Sequence, residues 1–362
     1  MKKKLLIIVG TRPEVLKMAP VIRSLREASL PFHFVHTGQH YEYDMSMKFV
    51  KELHLPIPKR LHLASSVDRP TAQTARIMIR TEDLIRKLKP TLVLIQGDTN
   101  TMLGAALASF KQNVSVGHVE AGLRSYDWSM QEEHNRRMVD HASRLLFAPT
   151  FISKGNLLRE NVPGKIWVTG NTIIDTISVM MPVAIEKSNI LDRISFDEYA
   201  VATIHRAENV ENVDVLSNIV EAFIECPLPI VIPMHPRTES RLHLFGLYHR
   251  LARAGNIMIL PPLGYLDFLI LMKHCRVIIT DSGGLQEEAT APQIKKRVVV
   301  VRESTERPEA VSAGFASVVG TRRKAILRGI ESMTRGRKLP KSPYGDGKAA
   351  NRILGVIREE LQ

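Results

Sequence analysis

Three carboxylates and two histidines stand where proton-transfer chemistry would use them. Asp98 and Glu120 each follow an apolar run at once, in TLVLIQ-Gly97-Asp98 and VSVGHV-Glu120-Ala121-Gly122. Glu132 opens the next helical stretch. Gathered in one place, carboxylates raise one another's pKa, which suits acid and base roles near neutral pH. His205 and His235 follow two later apolar runs, where an imidazole donates to a diphosphate or carries a proton. A third motif, Asp281-Ser282-Gly283-Gly284-Leu285-Gln286-Glu287-Glu288, again begins where a strand ends and opens a helix. Its backbone amides at the positive end of the helix form a phosphate cradle, and Glu288, one turn in, is placed to meet ribose hydroxyls.

Plainer roles compete at each position. Asp98 and Ser282 are good helix caps. Glu132 and Arg136 are four apart, a surface pair worth ~0.2–0.5 kcal/mol. A lone histidine is more often structural. Against these stand the count of carboxylates in one half of the chain and the equivalent placement of the two histidines. Two consecutive glycines at 283–284 are also more than a cap needs.

Other chemistries lack their signatures. No phosphate-binding loop of the G-x-x-x-x-G-K-[ST] type is present. The one G-x-G-x-x-A match, Gly345 to Ala350, follows Pro343-Tyr344 instead of a strand and reads as a turn entering the last helix. A tightly held nicotinamide cofactor is therefore not expected. Neither H-E-x-x-H nor a paired cysteine spacing marks a metal site, and no G-x-S-x-G elbow marks a nucleophilic triad.

The elements that position these groups alternate along the chain. Strands are expected near 4–9, 32–36, 91–96, 114–119, 144–148 and 165–169. Helices are expected near 13–28, 44–53, 71–88, 99–111, 132–142 and 151–160. A helix from Gly170-Asn171 toward Lys187 and a polar linker at 188–198 lead to a second alternation, with strands near 199–204, 229–233, 256–260, 276–280 and 297–301. A last helix spans about 349–361. Short Val- and Ile-rich runs are strands buried on both faces of a parallel sheet, and ligands bind beyond the carboxyl ends of such strands. The expected fold is α/β, two Rossmann-like domains facing each other across a cleft. Residues 1–169 form the first and 170–348 the second, with the helix 349–362 packing back on the first.

The chain has 362 residues, 44% of them hydrophobic, enough for two domains with their own cores. No apolar stretch approaches the ~20 residues of a membrane span. The patch in MKKKLLIIVG is too short for a signal peptide and reads as the first strand. Two cysteines, Cys226 and Cys275, point to a reduced, cytoplasmic protein over a disulfide-bonded one. The net charge of +13 suits either nucleic acid or a small polyanion such as a nucleotide sugar. Aromatics are only 6% and do not interleave with the basic stretch from Arg322 to Lys341, which weighs against nucleic acid.

Eleven runs together resemble one family, the non-hydrolysing UDP-N-acetylglucosamine 2-epimerases. They are GTRPEVLKMAPV, TGQHY, QGDTNTMLGA, GHVEAGLRS, EEHNRR, GNTIIDT, HRAENV, HPRT, DSGGLQEEA, STERPEAV and GDGKAANRI, between 10 and 353. The resemblance implies a fold like glycogen phosphorylase and the two-domain glycosyltransferases. It also implies interconversion of UDP-GlcNAc and UDP-ManNAc in the cytoplasm by a homodimer that needs neither cofactor nor metal. Carried over by position, it puts Arg12, Lys17, Ser282, Gly283, Gly284, Glu288 and Arg307 on UDP and Phe268 near uracil. It makes Asp98, Glu120, Glu132 and His205 catalytic. Gln39, His40, Arg206 and His235 match an allosteric site that holds a second UDP-GlcNAc in bacterial members. This chain has Arg206-Ala207 where those members have two arginines. A hydrolysing epimerase releasing ManNAc and UDP, and a UDP-sugar glycosyltransferase of the same fold, are the alternatives.

Overall fold

The computed structural model describes residues 4–38, 47, 50–61, 69–335 and 338–361. The chain divides into two compact units. One comprises Met1–Thr176 with Tyr344–Gln362, the other Ile177–Pro343. The dividing point falls inside a continuous helix, Thr172–Lys187. The segment 188–198, expected as a linker, lies within the second unit and carries a 3-10 turn at Ile190–Arg193.

The first unit is built on a parallel sheet of β1 (Leu5–Val9), β2 (Phe32–His36), β3 (Lys59–Arg60), β4 (Leu92–Gln96), β5 (Ser115–Val119), β6 (Leu145–Ala148) and β7 (Lys165–Val168). The spatial order is β3-β2-β1-β4-β5-β6-β7. Every residue of β1 and β4 is buried, as runs such as LLIIV and LVLIQ require when helices cover both faces. The order reverses between β1 and β4, whose register pairs Leu5 with Leu92 and Ile7 with Leu94. That reversal places the turns after β1 and β4 side by side, the usual ligand position in such sheets.

The helix Arg12–Glu27 leaves β1 through Gly10 and Thr11, with Pro13 in its first turn, where a missing N–H costs nothing. The C-terminal helix Ala349–Glu360 packs on it. Asp175 caps that last helix, accepting the amides of Ala349 and Ala350 at 3.1 and 2.9 Å. Before it, Gly345 and Gly347 take φ of 111° and 79°, so the G-x-G pattern there serves a left-handed turn.

The second unit repeats the scheme with β8 (Ala200–Thr203), β9 (Ile230–Pro233), β10 (Ile257–Leu260), β11 (Val277–Thr280), β12 (Arg297–Val300) and β13 (Ala316–Val318), in the order β10-β9-β8-β11-β12-β13. All neighbours are parallel, and the order reverses between β8 and β11. Its core joins Ala200, Ala202, Ile230, Val277, Ile279 and Val299 of the strands to Leu216, Ile219 and Phe223 of the helix Val213–Ile224. No helix among the described residues is long and apolar enough to cross a membrane.

Candidate active site

In the first unit the turns after β1, β4 and β5 carry the chemistry. Glu120, the residue after β5, has φ 74°, a left-handed conformation that costs a side chain with a Cβ. Gly122 follows at φ 85°, and a Cβ there would run into the Ser153 carbonyl. The Glu120 carboxylate is nearly buried and ion-paired with the Lys17 ammonium of the helix Arg12–Glu27. Gln96, the last residue of β4, donates from Nε2 to the same oxygen at 3.0 Å.

Asp98, one strand over, is gripped by Arg136. The guanidinium donates from Nη2 at 2.7 Å and from Nε at 3.1 Å to one carboxylate oxygen. Asn135 donates to the Asp98 carbonyl at 2.9 Å. Arg136 also donates to Glu133 at 2.7 Å, and Glu133 accepts the amide and hydroxyl of Ser125. Burial alone would raise the Glu133 carboxyl; the Ser125 amide and the Arg136 charge outweigh it and hold it below its ordinary range. Glu132 stands on the exposed side of this helix, Gln131–Ala142, while Glu133 beside it is fully buried. The expected gathering of like charges is thus an alternation, Lys17 with Glu120 and Arg136 with Asp98. Burial raises the Glu14 carboxyl to about 7, although the Thr99 hydroxyl and the Gly10 and Thr11 amides donate to it. Glu14 bridges the two turns of the sheet reversal, taking the Thr99 hydroxyl at 2.7 Å and the Thr11 amide at 3.1 Å. Arg12, the first residue of its helix, is half-exposed at the same turn.

In the second unit the reversal between β8 and β11 brings His205 to Asp281. The Asp281 carboxylate is fully buried and accepts the His205 amide at 3.0 Å, the Arg206 amide at 2.9 Å and the Asn209 amide nitrogen at 3.0 Å. Its other oxygen lies 3.4 Å from His205 Nδ1. The His205 ring stacks on His235, centroids 5.4 Å apart, and His235 Nδ1 caps the helix Pro236–Leu244 by accepting the Arg237 amide. The two histidines expected at equivalent strand ends therefore meet, one presented by its backbone and the other fixed as a cap.

Ser282 is the residue before the short helix Gly283–Glu288 and makes no side-chain cap bond there. The two glycines have different reasons. A Cβ on Gly283 would collide with the Glu306 carboxylate, whereas one on Gly284 would meet only ordinary contacts near 3.8–3.9 Å. Packing therefore accounts for Gly283, whereas Gly284 would accept a Cβ at ordinary contact distances. Glu288 receives the Tyr265 hydroxyl at 3.3 Å; Phe268 is half-buried three residues along the same helix, Tyr265–His274.

Arg307 pairs with Glu287 and lies 3.9 Å from Glu306, which also pairs with Arg206 at 3.1 Å and Arg302 at 2.6 Å. Burial would push the Glu306 carboxyl up, but the guanidiniums of Arg307, Arg206 and Arg302 hold it well below the carboxylate range. Gln39 and His40 lie outside the described residues. Among the described residues no group of three or more His, Cys, Asp or Glu side chains is arranged to hold a metal ion.

Sequence reasoning passed over Glu14, Glu133, Arg136, Asp140, Asp281 and Glu306 as functional. One signal was available. Glu133, Arg136 and Asp140 recur at spacings of three and four on one helix face, where an amphipathic helix carries its apolar stripe.

The family described as UDP-N-acetylglucosamine 2-epimerase matches residues 23–358. A relative of that name from Methanocaldococcus jannaschii is 43% identical, the match covering 98% of each chain. The crystal structure of the M. jannaschii UDP-GlcNAc 2-epimerase in complex with UDP-GlcNAc and UDP is 42% identical, with a TM-score of 0.90 over 98% of this chain and 99% of that one. A Neisseria meningitidis UDP-GlcNAc 2-epimerase bound to UDP-GlcNAc follows at 34% identity and a TM-score of 0.89, over 98% of this chain and 100% of the other. This chain belongs to the UDP-N-acetylglucosamine 2-epimerase family.

Proposed function

We propose that the protein interconverts UDP-GlcNAc and UDP-ManNAc by inverting C2 of the sugar without hydrolysis, through elimination and re-addition of UDP. The observation that carries this reading is the pair Asp98 and Glu120, carboxylates at adjacent strand ends each held by its own cation, in a chain matched to the family over nearly its whole length. One carboxylate takes the C2 proton as the C1–O bond breaks. The electrons of the C–H bond form the C1=C2 double bond of 2-acetamidoglucal, and those of the C–O bond leave with UDP. Return of a proton to the opposite face of C2 and attack of UDP on C1 give the epimer.

Such a reaction is accelerated by groups that bind the charge as it develops on the diphosphate. The second unit carries groups suited to this. They are Ser282 with the amides of Gly283 and Gly284, the Arg307 guanidinium, and His205. Lys17 and Arg12 add cations in the first unit. Neither Glu120 nor Asp98 serves as a simple helix cap, because the carboxylate of each is engaged by a buried cation. His235 and Arg206, with Gln39 and His40, are the residues we assign to a second UDP-GlcNAc, and Glu132 remains assigned to proton transfer.

A proton NMR time course with UDP-GlcNAc tests the reading. Signals of UDP-ManNAc should grow without free ManNAc. Release of ManNAc and UDP together would make the protein a hydrolysing epimerase, and an inert substrate that reacts only with an added acceptor would make it a glycosyltransferase.

A further inference from the structure

We infer that His118 is a positioning residue for the proton-transferring pair, tying the turn that carries Asp98 to the turn that carries Glu120. This rests on the epimerase reading and adds to it what fixes the spacing of the two acids. His118 lies in β5, two residues before Glu120, and its side chain is fully buried. Its Nε2 is 2.8 Å from the Gly97 carbonyl oxygen. A carbonyl only accepts, so Nε2 carries the hydrogen. Gly97 immediately precedes Asp98 and has φ 89°, so the bond pins the turn on which Asp98 stands. On the other side of the ring, Nδ1 is 2.7 Å from Asp140 Oδ1. The second Asp140 oxygen accepts the Gly122 amide at 3.2 Å and pairs with Arg124 at 2.8 Å.

The contacts Gly97–His118–Asp140–Gly122 therefore run behind both strand-end turns. They hold one residue next to Asp98 and one two residues past Glu120. Burial would raise the Asp140 carboxyl, but His118 and Arg124 more than offset it and hold it lowered. An apolar residue at 118 would fill β5 but would leave the Gly97 carbonyl and one Asp140 oxygen without their His118 partner. The return on this buried network is geometry: a displacement of about 1 Å at a reacting group costs on the order of 10²-fold in rate.

Two substitutions separate positioning from folding. His118→Asn keeps a nitrogen near the Nδ1 position facing Asp140 and loses the bond to Gly97. His118→Gln reaches the Nε2 position and keeps it. Each is measured for kcat and KM with UDP-GlcNAc, for UDP affinity and for unfolding midpoint. The Asn variant should lose about 10²-fold in kcat with KM and UDP affinity within about twofold of the parent. The Gln variant should recover at least tenfold of that loss at a similar midpoint. If the Asn variant does not fold, Asp140→Asn replaces it, with at least a tenfold fall in kcat at unchanged KM expected. Losses that follow folded fraction in both His118 variants, or a fully active Asn variant, overturn the inference while the parent still epimerises. A parent that does not turn over UDP-GlcNAc overturns both readings.

Discussion

Glu14 offers a test of electrostatics that does not depend on any substrate. Its carboxyl is buried at the sheet reversal and raised from 4.5 to about 7. In the folded chain it holds its proton more tightly than in the unfolded one. The resulting stabilisation is complete below pH 4.5, fades as pH rises, and is gone above 7. At ~1.4 kcal/mol per pH unit, the span from 4.5 to 7 is worth about 3 kcal/mol. Glu14→Gln removes the titration and keeps the contacts. The amide oxygen accepts the Gly10 and Thr11 amides, and the Thr99 hydroxyl turns to accept from the amide nitrogen. Other groups titrate over the same range, so the informative quantity is the difference between variant and parent. That difference should grow in favour of the variant by about 3 kcal/mol between pH 4.5 and pH 8. For the first unit this corresponds to roughly 6–12 °C in unfolding temperature. Thermal unfolding at both pH values, followed by circular dichroism, reads it directly. A difference that stays constant with pH, or a variant less stable than the parent at pH 8, would show that Glu14 does not titrate in this way.

Three further outcomes follow from the geometry. Gly284→Ala should fold with a midpoint within about 2 °C of the parent yet lose at least tenfold in UDP affinity by titration calorimetry. Gly283→Ala, whose Cβ would meet the Glu306 carboxylate, should lower the midpoint itself by an amount equivalent to about 1–3 kcal/mol. Lys17→Met should cost about 3–5 kcal/mol by stranding the Glu120 carboxylate in a buried site, and Lys17→Met with Glu120→Gln should recover more than half of that in urea unfolding.

Much of the fold was legible because a strand buried on both faces has no choice of composition. LLIIV, LVLIQ and VIIT leave little room for another reading, and all three sit at the centre of their sheets. β3 and β13 escaped notice because edge strands of two and three residues carry no period: Lys59 and Arg60 are both exposed. The units divide between Thr176 and Ile177, inside a helix that continues through the point; the sequence placed the division at 169–170, where the last strand of the first alternation ends, and took the polar segment 188–198 for a linker. At the site, Asp98, Glu120 and His205 stand directly or almost directly after apolar runs, and position alone singled them out; Asp281 stands in the same place but drew no role. Only a shared helix face hinted at their supporting residues. Glu133, Arg136 and Asp140 look like a solvated helix face until the strands they pack against are known, and Glu306 lies about 100 residues from the Arg206 it binds. The pairings of Arg136 with Asp98, Asp140 with His118 and Glu306 with Arg206 are facts of three dimensions that no local spacing encodes.

On the proposed route, a carboxylate of the first unit exchanges the hydrogen at C2 while UDP departs. The decisive measurement is incubation of UDP-GlcNAc with the protein in deuterated water, followed by NMR of the recovered UDP-sugars. Deuterium should appear at C2 of the UDP-ManNAc formed, and Glu120→Gln should slow that incorporation at least 10²-fold. UDP-ManNAc formed with hydrogen retained at C2 would rule the route out.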